Sequence, residues 1–253
     1  MLLRSLAKHI KEQNWFAVFI DFFIVVLGIL LAFQITEWSE QQADKRALHV
    51  ALERLEDEIQ GNILAIDKYS QRHEDIASAG QALLKLVRDP ALGHVPMALI
   101  AKVFLDGYTT NYSTSALMSV LNQQTFQGLQ SNELRPAVSA LPAEYLDASE
   151  DEHTVIQRVD GHWNPYISQY LPAGPMWINA NKDTEWEAYF AATEGFAEYE
   201  VVSLSEFKVL AASLPFQNEI INRIGYERLI LIEQQELRLF LEQVLALIEE
   251  ETP

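Results

Sequence analysis

The chain has 253 residues and is 49% hydrophobic, which is enough for one or two packed domains and excludes a disordered polymer. Its 36 acidic side chains against 18 basic ones leave a net charge of -18, a surface that repels phosphate backbones and excludes nucleic acid as a partner. With no cysteine, disulfides, thiolate zinc sites, iron–sulfur clusters and thiol nucleophiles are excluded as well.

Residues 1–14 form a short N-terminal tail carrying Arg4, Lys8 and Lys11. Residues 15–35 then read WFAVFIDFFIVVLGILLAFQI, with almost no polar side chains. At about 1.5 Å per residue this stretch is about 30 Å long as a helix, the thickness of a hydrocarbon core. Trp15 and Trp38 bracket it as interface anchors, so residues 15–38 are predicted to be a transmembrane helix. A buried soluble helix would keep a polar face, which 22–33 lacks. A signal peptide fits less well, because the apolar run is long and no small-x-small cleavage site follows Leu31. Three basic residues precede the span, whereas Glu37, Glu40 and Asp44 follow it with Lys45 and Arg46. The positive-inside rule therefore puts the N-terminus in the cytoplasm and residues 39–253 in the periplasm, with the chain in the inner membrane.

Two features of the span bear on partners. Gly28 and Ala32 form a small-xxx-small face on which a second helix can pack closely, and Gln34 is available for an interhelical hydrogen bond. Asp21 has the residue type of a proton relay, yet it lies close enough to Trp15 to reach the interface, which favours a structural role.

Beyond Trp38 an amphipathic helix is expected to run to about Arg88, stopped by Pro90. Leu48, Leu52, Leu55, Ile59, Ile63, Ile66, His73, Ile76, Gly80, Leu83 and Val87 recur at spacings of three and four. Pro96 should open a helix of about ten residues; further helices are expected over 113–129 and 133–146, the latter with Pro136 in its first turn. Capping boxes are expected at Ser149 with Glu152, Thr184 with Glu187 and Ser203 with Glu206. The stretch 164–181, with Pro165, Pro172, Gly174 and Pro175, is predicted to be irregular loop. After Pro215 a final helix over 216–251 repeats the stripe at Ile230, Leu237, Leu241, Val244 and Ile248. The fold class is thus all-α: a transmembrane helix followed by a helical-bundle ectodomain built on two long antiparallel helices, although a coiled-coil seam between subunits would show the same stripe.

The segment 21–38, DFFIVVLGILLAFQITEW, resembles the N-terminal signature of a bacterial family of single-pass membrane proteins of unknown function: an acidic residue, then L-V-V-x-G-I-x-x-A-x-Q-x-x-x-W, ahead of a helical ectodomain. Asn132-Glu133-Leu134-Arg135 is similar to that family's N-x-x-L-R helix start, and Phe216-Gln217-Asn218 to the opening of its last helix. This chain has Leu121-Asn122 where such proteins show a Ser-Gly pair. The resemblance implies an anchor and a helical ectodomain, and it implies no reaction, substrate or cofactor.

Motifs that carry chemistry are sparse. The histidines form no H-E-x-x-H, and the chain has no G-x-S-x-G, phosphate loop or G-x-G-x-x-G. Asp151, Glu152, His153, Asp160 and His162 have the residue types of a divalent-cation site, but an acidic solvated face is the simpler account and no metal or other cofactor is assigned. His73 falls on the apolar stripe and is expected to be a satisfied core histidine rather than a ligand. Trp163, Tyr166, Tyr170, Trp177 and Trp186 belong to an aromatic-rich region that would serve as a partner or ligand surface if one exists, ordinary packing being the alternative.

The expected function is non-catalytic: a structural or accessory subunit that docks on a larger membrane complex or self-associates. Its partners are then the bilayer and either a membrane protein or a second copy. The alternative is a periplasmic ligand-sensing bundle that signals through a partner, because a 14-residue tail is too short for an output domain. A membrane-tethered enzyme is a third class, resting on the acidic and histidine cluster.

Overall fold

The computed structural model describes residues 15–93, 97–181, 184, 187–193 and 204–251. Every regular element among them is helical. Helix α1, Trp15–Val87, runs unbroken for 73 residues, about 110 Å, from the apolar segment into the packed helical domain. Its side chains are exposed through the apolar stretch, and burial begins at Leu48. The positions that the spacing marks as the inner stripe, Leu48, Leu52, Leu55, Ile59, Ile66, His73, Ile76, Gly80, Leu83 and Val87, are buried, and Ile63 is half-buried.

Helix α2 spans Met97–Phe104; Pro96, expected to open it, lies outside the described residues. The helix expected over 113–129 is in fact two, α3 (Ser115–Leu121) and α4 (Gln124–Leu129), parted where Gln123 adopts an extended conformation. Helix α5, Leu134–Arg158, is longer than the expected 133–146 and carries Pro142 inside it. Pro136 falls in its first turn as expected, and the Ser131 hydroxyl accepts the Leu134 N–H at 2.9 Å. The helical run continues through a π-helical turn, Val159–Trp163, into α6, Asn164–Ile167.

The expected loop over 164–181 is therefore corrected. It contains α6 and then α7, Ala173–Ala180. The prolines that suggested a loop fall at or within first turns, where the missing N–H has no intrahelical partner to lose. Helices α8 (Glu187–Ala192) and α9 (Leu204–Ala212) follow, and α10, Leu214–Glu251, closes the fold over 38 residues. Its start is held by the Ser213 hydroxyl, which accepts the Phe216 N–H at 3.4 Å.

Helix α10 packs along α1 and against α5. Cross-contacts tie Arg88 to Gln217, Glu74 to Arg228, Ser70 to Gln234 and Asp67 to Arg238, so partners descend α1 as they ascend α10. The Glu74–Arg228 pair is two-pronged, at 2.5 and 3.1 Å, but half-exposed, so its contribution is about 0.5 kcal/mol.

The apolar interior is divided in two. One cluster gathers Leu52, Leu55 and Ile59 of α1 with Phe126, Leu141, Leu241 and Val244. The other gathers Leu83 and Val87 with Phe104, Trp163, Phe207 and Phe216. Burial of such side chains at roughly 25 cal/mol per Å² is the main driving force for the helical domain. Between the clusters, on all three long helices, the inward position is polar: His73 on α1, Glu152 on α5 and Gln234 on α10.

A carboxylate of α1 decides where α3 begins. The Glu58 oxygens accept the N–H groups of Ala116 and Leu117 at 2.8 and 3.0 Å, and the hydroxyls of Ser113 and Ser115 at 3.0 Å each. Those N–H groups are the ones a helix start leaves unpaired, and the negative charge suits the positive end of the helix dipole. Beside it the Asn62 amide accepts from the Ser113 N–H at 2.8 Å and donates to the Ser113 carbonyl and the Tyr145 hydroxyl. Partial burial pushes the Glu58 pKa up, and the four donors outweigh it, so Glu58 titrates below 4.5. The stability it contributes is present above that value and is lost as pH falls through the lower folded pKa. Glu58→Ala is expected to destabilise the helical domain by about 1–2 kcal/mol in urea titrations at pH 7. The loss should shrink as pH falls below 4.5 and through the lower folded pKa, where the wild-type carboxylate takes up its proton.

Candidate functional site

Three places were marked by the sequence: the apolar span, the acidic and histidine cluster, and the aromatic region. On the span, Gly28, Ala32 and Gln34 are all exposed, as is Trp38 at the end of the apolar stretch. A Cβ added at Gly28 would meet nothing within 4 Å, so the face lies open for its whole width. Trp15 begins the helix, but its side chain lies outside the described residues.

Beyond the apolar stretch the same face continues, which the sequence reading missed. At 3.6 residues per turn, Leu64 lies about ten turns above Gly28, with Val50 and Gly61 near the same meridian. Leu64 is 70% exposed and Val50 43%, and a Cβ added at Gly61 would likewise meet nothing within 4 Å. The cue was present in the spacing, but only burial shows that this side of α1 is left uncovered by α5 and α10.

The five residues with metal-ligand chemistry are not brought together. Glu152 is buried and Asp151 half-buried, while His153, Asp160 and His162 are exposed, the last beside Glu219. Among the described residues, no group of three or more histidines and carboxylates converges to hold a cation. The capping box expected at Ser149 with Glu152 is corrected at the same point. Both lie mid-helix in α5, the Ser149 hydroxyl donating back to the Tyr145 carbonyl at 2.6 Å. A hydroxyl three residues ahead of a carboxylate occurs inside helices too, and here the carboxylate serves a partner 42 residues away. Thr184 lies three residues ahead of the helix that Glu187 opens, and its hydroxyl donates to the Asn181 carbonyl at 2.6 Å, whereas the Ser203–Glu206 pair lies outside the residues whose side chains are described.

Glu152 belongs instead to a buried polar network. Its Oε2 accepts the Thr110 N–H at 2.7 Å, and its Oε1 accepts the Thr110 hydroxyl at 2.8 Å and the Gln234 amide at 2.6 Å. Gln234 in turn accepts from the Ser70 hydroxyl at 2.6 Å. The His73 imidazole sits between two carboxylates: Nδ1 is 2.6 Å from Glu227 Oε2, and Nε2 is 3.5 Å from Glu152 Oε1. Glu227 also forms an ion pair with Arg223, Nε to Oε1 at 2.8 Å. The Arg223 guanidinium lies 4.9 Å over the Trp163 ring and donates to the Asp106 carbonyl at 2.6 Å. His73, Glu152, Arg223, Glu227 and Gln234 are each 0% exposed.

Burial pushes the His73 pKa down, and the hydrogen bonds and charges of Glu152 and Glu227 outweigh it, so His73 titrates above 6.5. With His73 protonated the network sets two cations among two carboxylates, although His73 Nε2, Arg223 Nε and Nη1 and Glu227 Oε1 make no hydrogen bond. Next to it burial raises the Asp106 carboxyl to about 6, against the pull of Lys102 and Arg223. On the α5–α10 surface, partial burial and then the charges of Asp151 and Asp147 push Glu233 up to about 7.

The aromatic region divides between core and surface. Trp163 is fully buried, its Nε1–H donating to Glu219 at 2.9 Å, so it belongs to the interior and not to a partner surface. The π-helical turn, in which the Asn164 N–H reaches back five residues to the Val159 carbonyl, carries Trp163 into the core beneath Arg223. Tyr166 is partly buried against the core and meets Tyr170 edge-on at 5.5 Å; Tyr170 is 49% exposed. Trp177 is 36% exposed and stacks on Phe190 at 5.8 Å. Trp186 lies outside the described residues.

Comparison of the chain with protein-family models, with curated proteins and with solved structures returns no match. One helix among the described residues is long and apolar enough to cross a membrane, and the apolar window in it is wholly unburied.

Proposed function

We propose that this chain is a non-catalytic single-pass protein of the bacterial inner membrane. Residues 1–14 are cytoplasmic, 15–38 cross the bilayer, and the ectodomain is periplasmic. It acts as a structural or accessory subunit that docks on a larger membrane complex or on a second copy of itself. The ectodomain is a helical bundle built on α1 and α10 running antiparallel, a reading supported by the reversed order of their cross-contacts.

The observation that carries the proposal is the continuity of α1. One helix joins a fully exposed apolar stretch to the packed stripe that begins at Leu48, so whatever engages the Gly28–Ala32 face is coupled to the ectodomain without a linker. Only lipid or another helix satisfies so much exposed hydrocarbon, and the open face at Gly28 suits close approach of a helix. Glu152, Thr110, Gln234 and Ser70 are hydrogen-bonded to one another, a pattern that supports a structural network.

Three experiments test this. The protein should stay with the membrane after alkaline carbonate washing, and protease added outside spheroplasts should digest the ectodomain. Recovery in the soluble fraction, or a protected C-terminal tail, overturns the topology. Mild-detergent purification should yield a complex or an oligomer. Gly28→Leu should weaken that association by about tenfold, a change of about 1.4 kcal/mol; a lone monomer for both proteins refutes the docking role.

A further inference from the structure

The buried polar layer does more than link helices. We propose that His73, clasped between Glu227 of α10 and Glu152 of α5, is a proton-controlled latch that holds α1 to both helices and releases them as pH rises. The case rests first on geometry. Both ring nitrogens face carboxylate oxygens, at 2.6 and 3.5 Å, in a site with 0% exposure. A neutral imidazole has one N–H and one lone pair. If its N–H serves Glu227, the Nε2 lone pair is left 3.5 Å from Glu152 Oε1 with no donor of its own, so the neutral ring sets two acceptors near each other. Only the imidazolium answers both carboxylates.

Charge gives the same sign. The groups facing His73 are Glu227 from α10 and Glu152 from α5; beyond them Arg223 pairs with Glu227, Tyr112 neighbours Glu152, and Asp106 and Tyr108 of the α2–α3 connection lie with Arg223, Lys102 and Arg72. Glu74 on α1 itself turns outward to Arg228. Loss of the His73 proton leaves two buried carboxylates against the single Arg223 cation. In a site of low dielectric an uncompensated charge is strongly unfavourable, and the cheapest relief is to open the layer to water. The upward displacement of the His73 pKa fits this, since a group held protonated in the folded state contributes stability that is complete below 6.5 and is lost as pH rises through the folded value.

The layer is placed where opening would have reach. It separates the two apolar clusters on α1, α5 and α10 at once, and short polar contacts tie it further to Ser70 and Thr110. Releasing it uncouples the cluster nearer the apolar span from the one beyond it, along a helix that is continuous with the span.

Hydrogen exchange on the full chain in detergent micelles or nanodiscs, from pH 6 to pH 9 and normalised for intrinsic exchange rates, tests the latch. Protection of segments 66–80 and 223–237 should be constant at the acid end and then fall by about tenfold per pH unit, the slope of a single proton. Glu152→Gln removes one carboxylate and should move the onset to lower pH. His73→Gln cannot titrate and should give a flat profile, and Asp106→Asn should leave the wild-type onset in place. A flat wild-type profile overturns the proposal, as does a pH dependence that survives in His73→Gln or disappears in Asp106→Asn. If His73→Gln fails to fold, the Glu152→Gln shift decides the matter: an unmoved onset refutes the latch.

Discussion

Replacing Glu227 by alanine is expected to cost the ectodomain about 3–5 kcal/mol, the range for removing one partner of a fully buried ion pair. Glu227 is the one carboxylate that both cations of the layer share, with His73 at 2.6 Å and Arg223 at 2.8 Å. Its removal leaves two positive groups with 0% exposure facing each other and a void where the side chain was. The attraction between the pair and its anion does not need to be a net gain over an apolar core for this to hold; it is the orphaned charge that destabilises. Glu227→Gln keeps the volume and one acceptor, and its cost should be smaller. Urea unfolding of the full chain in micelles, followed by circular dichroism, reads both. A change below about 1 kcal/mol in Glu227→Ala would mean that water reaches the layer and that its charges are not paired in a dry interior.

Trp163→Ala should be of the same order, about 3–5 kcal/mol, and by a different route. The indole is among the largest fully buried side chains, and it meets the Arg223 guanidinium on its face, Tyr226 at its edge and Glu219 through its Nε1–H. Truncation opens a cavity and strips the guanidinium of its aromatic neighbour together. Trp163→Phe restores most of the volume while losing the bond to Glu219, and should recover more than half of the deficit. Near-ultraviolet circular dichroism and the unfolding midpoint measure this. Equal losses for phenylalanine and alanine would show that the hydrogen bond, not the packing, is what Trp163 supplies.

The same buried layer marks the boundary of what can be read along the chain. His73 stands on the apolar stripe of α1, and the expectation of a satisfied core histidine is met at Nδ1, 2.6 Å from Glu227, but not at Nε2, which lies 3.5 Å from Glu152 without a hydrogen bond. Its partners themselves gave no such signal. Glu152 carries the pattern of a capping box, yet it sits mid-helix in α5 and its contacts come from Thr110 and Gln234. Trp163 looked like part of an exposed aromatic region, and the π-helical turn rotates it inward. Glu58 looks like one more charge on a solvated face, yet it holds the start of α3, 58 residues further on. In each case the deciding atom belongs to a segment far away in sequence, so local periodicity cannot reveal it.

Prolines misled in a more regular way. Those at 165, 172 and 175 pointed to a loop over 164–181, since proline ends helices in their interiors. Pro165 and Pro175 instead sit where helices begin, and a proline alone does not disclose which side of a boundary it occupies.

What the amino-acid order determined unaided is the long apolar segment, its extension into an amphipathic helix, the second long helix at the end of the chain and the all-helical class. Each of these follows from hydrophobicity and its period along a single stretch, and a stretch carries that information wherever it folds. Tertiary structure alone decided which side of α1 stays open, how α5 runs on to Trp163, and that His73, Glu152, Arg223 and Glu227 share one buried layer. The physical reason is that a buried charge is tolerable only beside its counter-charge. That pairing joins residues up to 154 positions apart, a separation that only the packed helices bring within hydrogen-bonding distance.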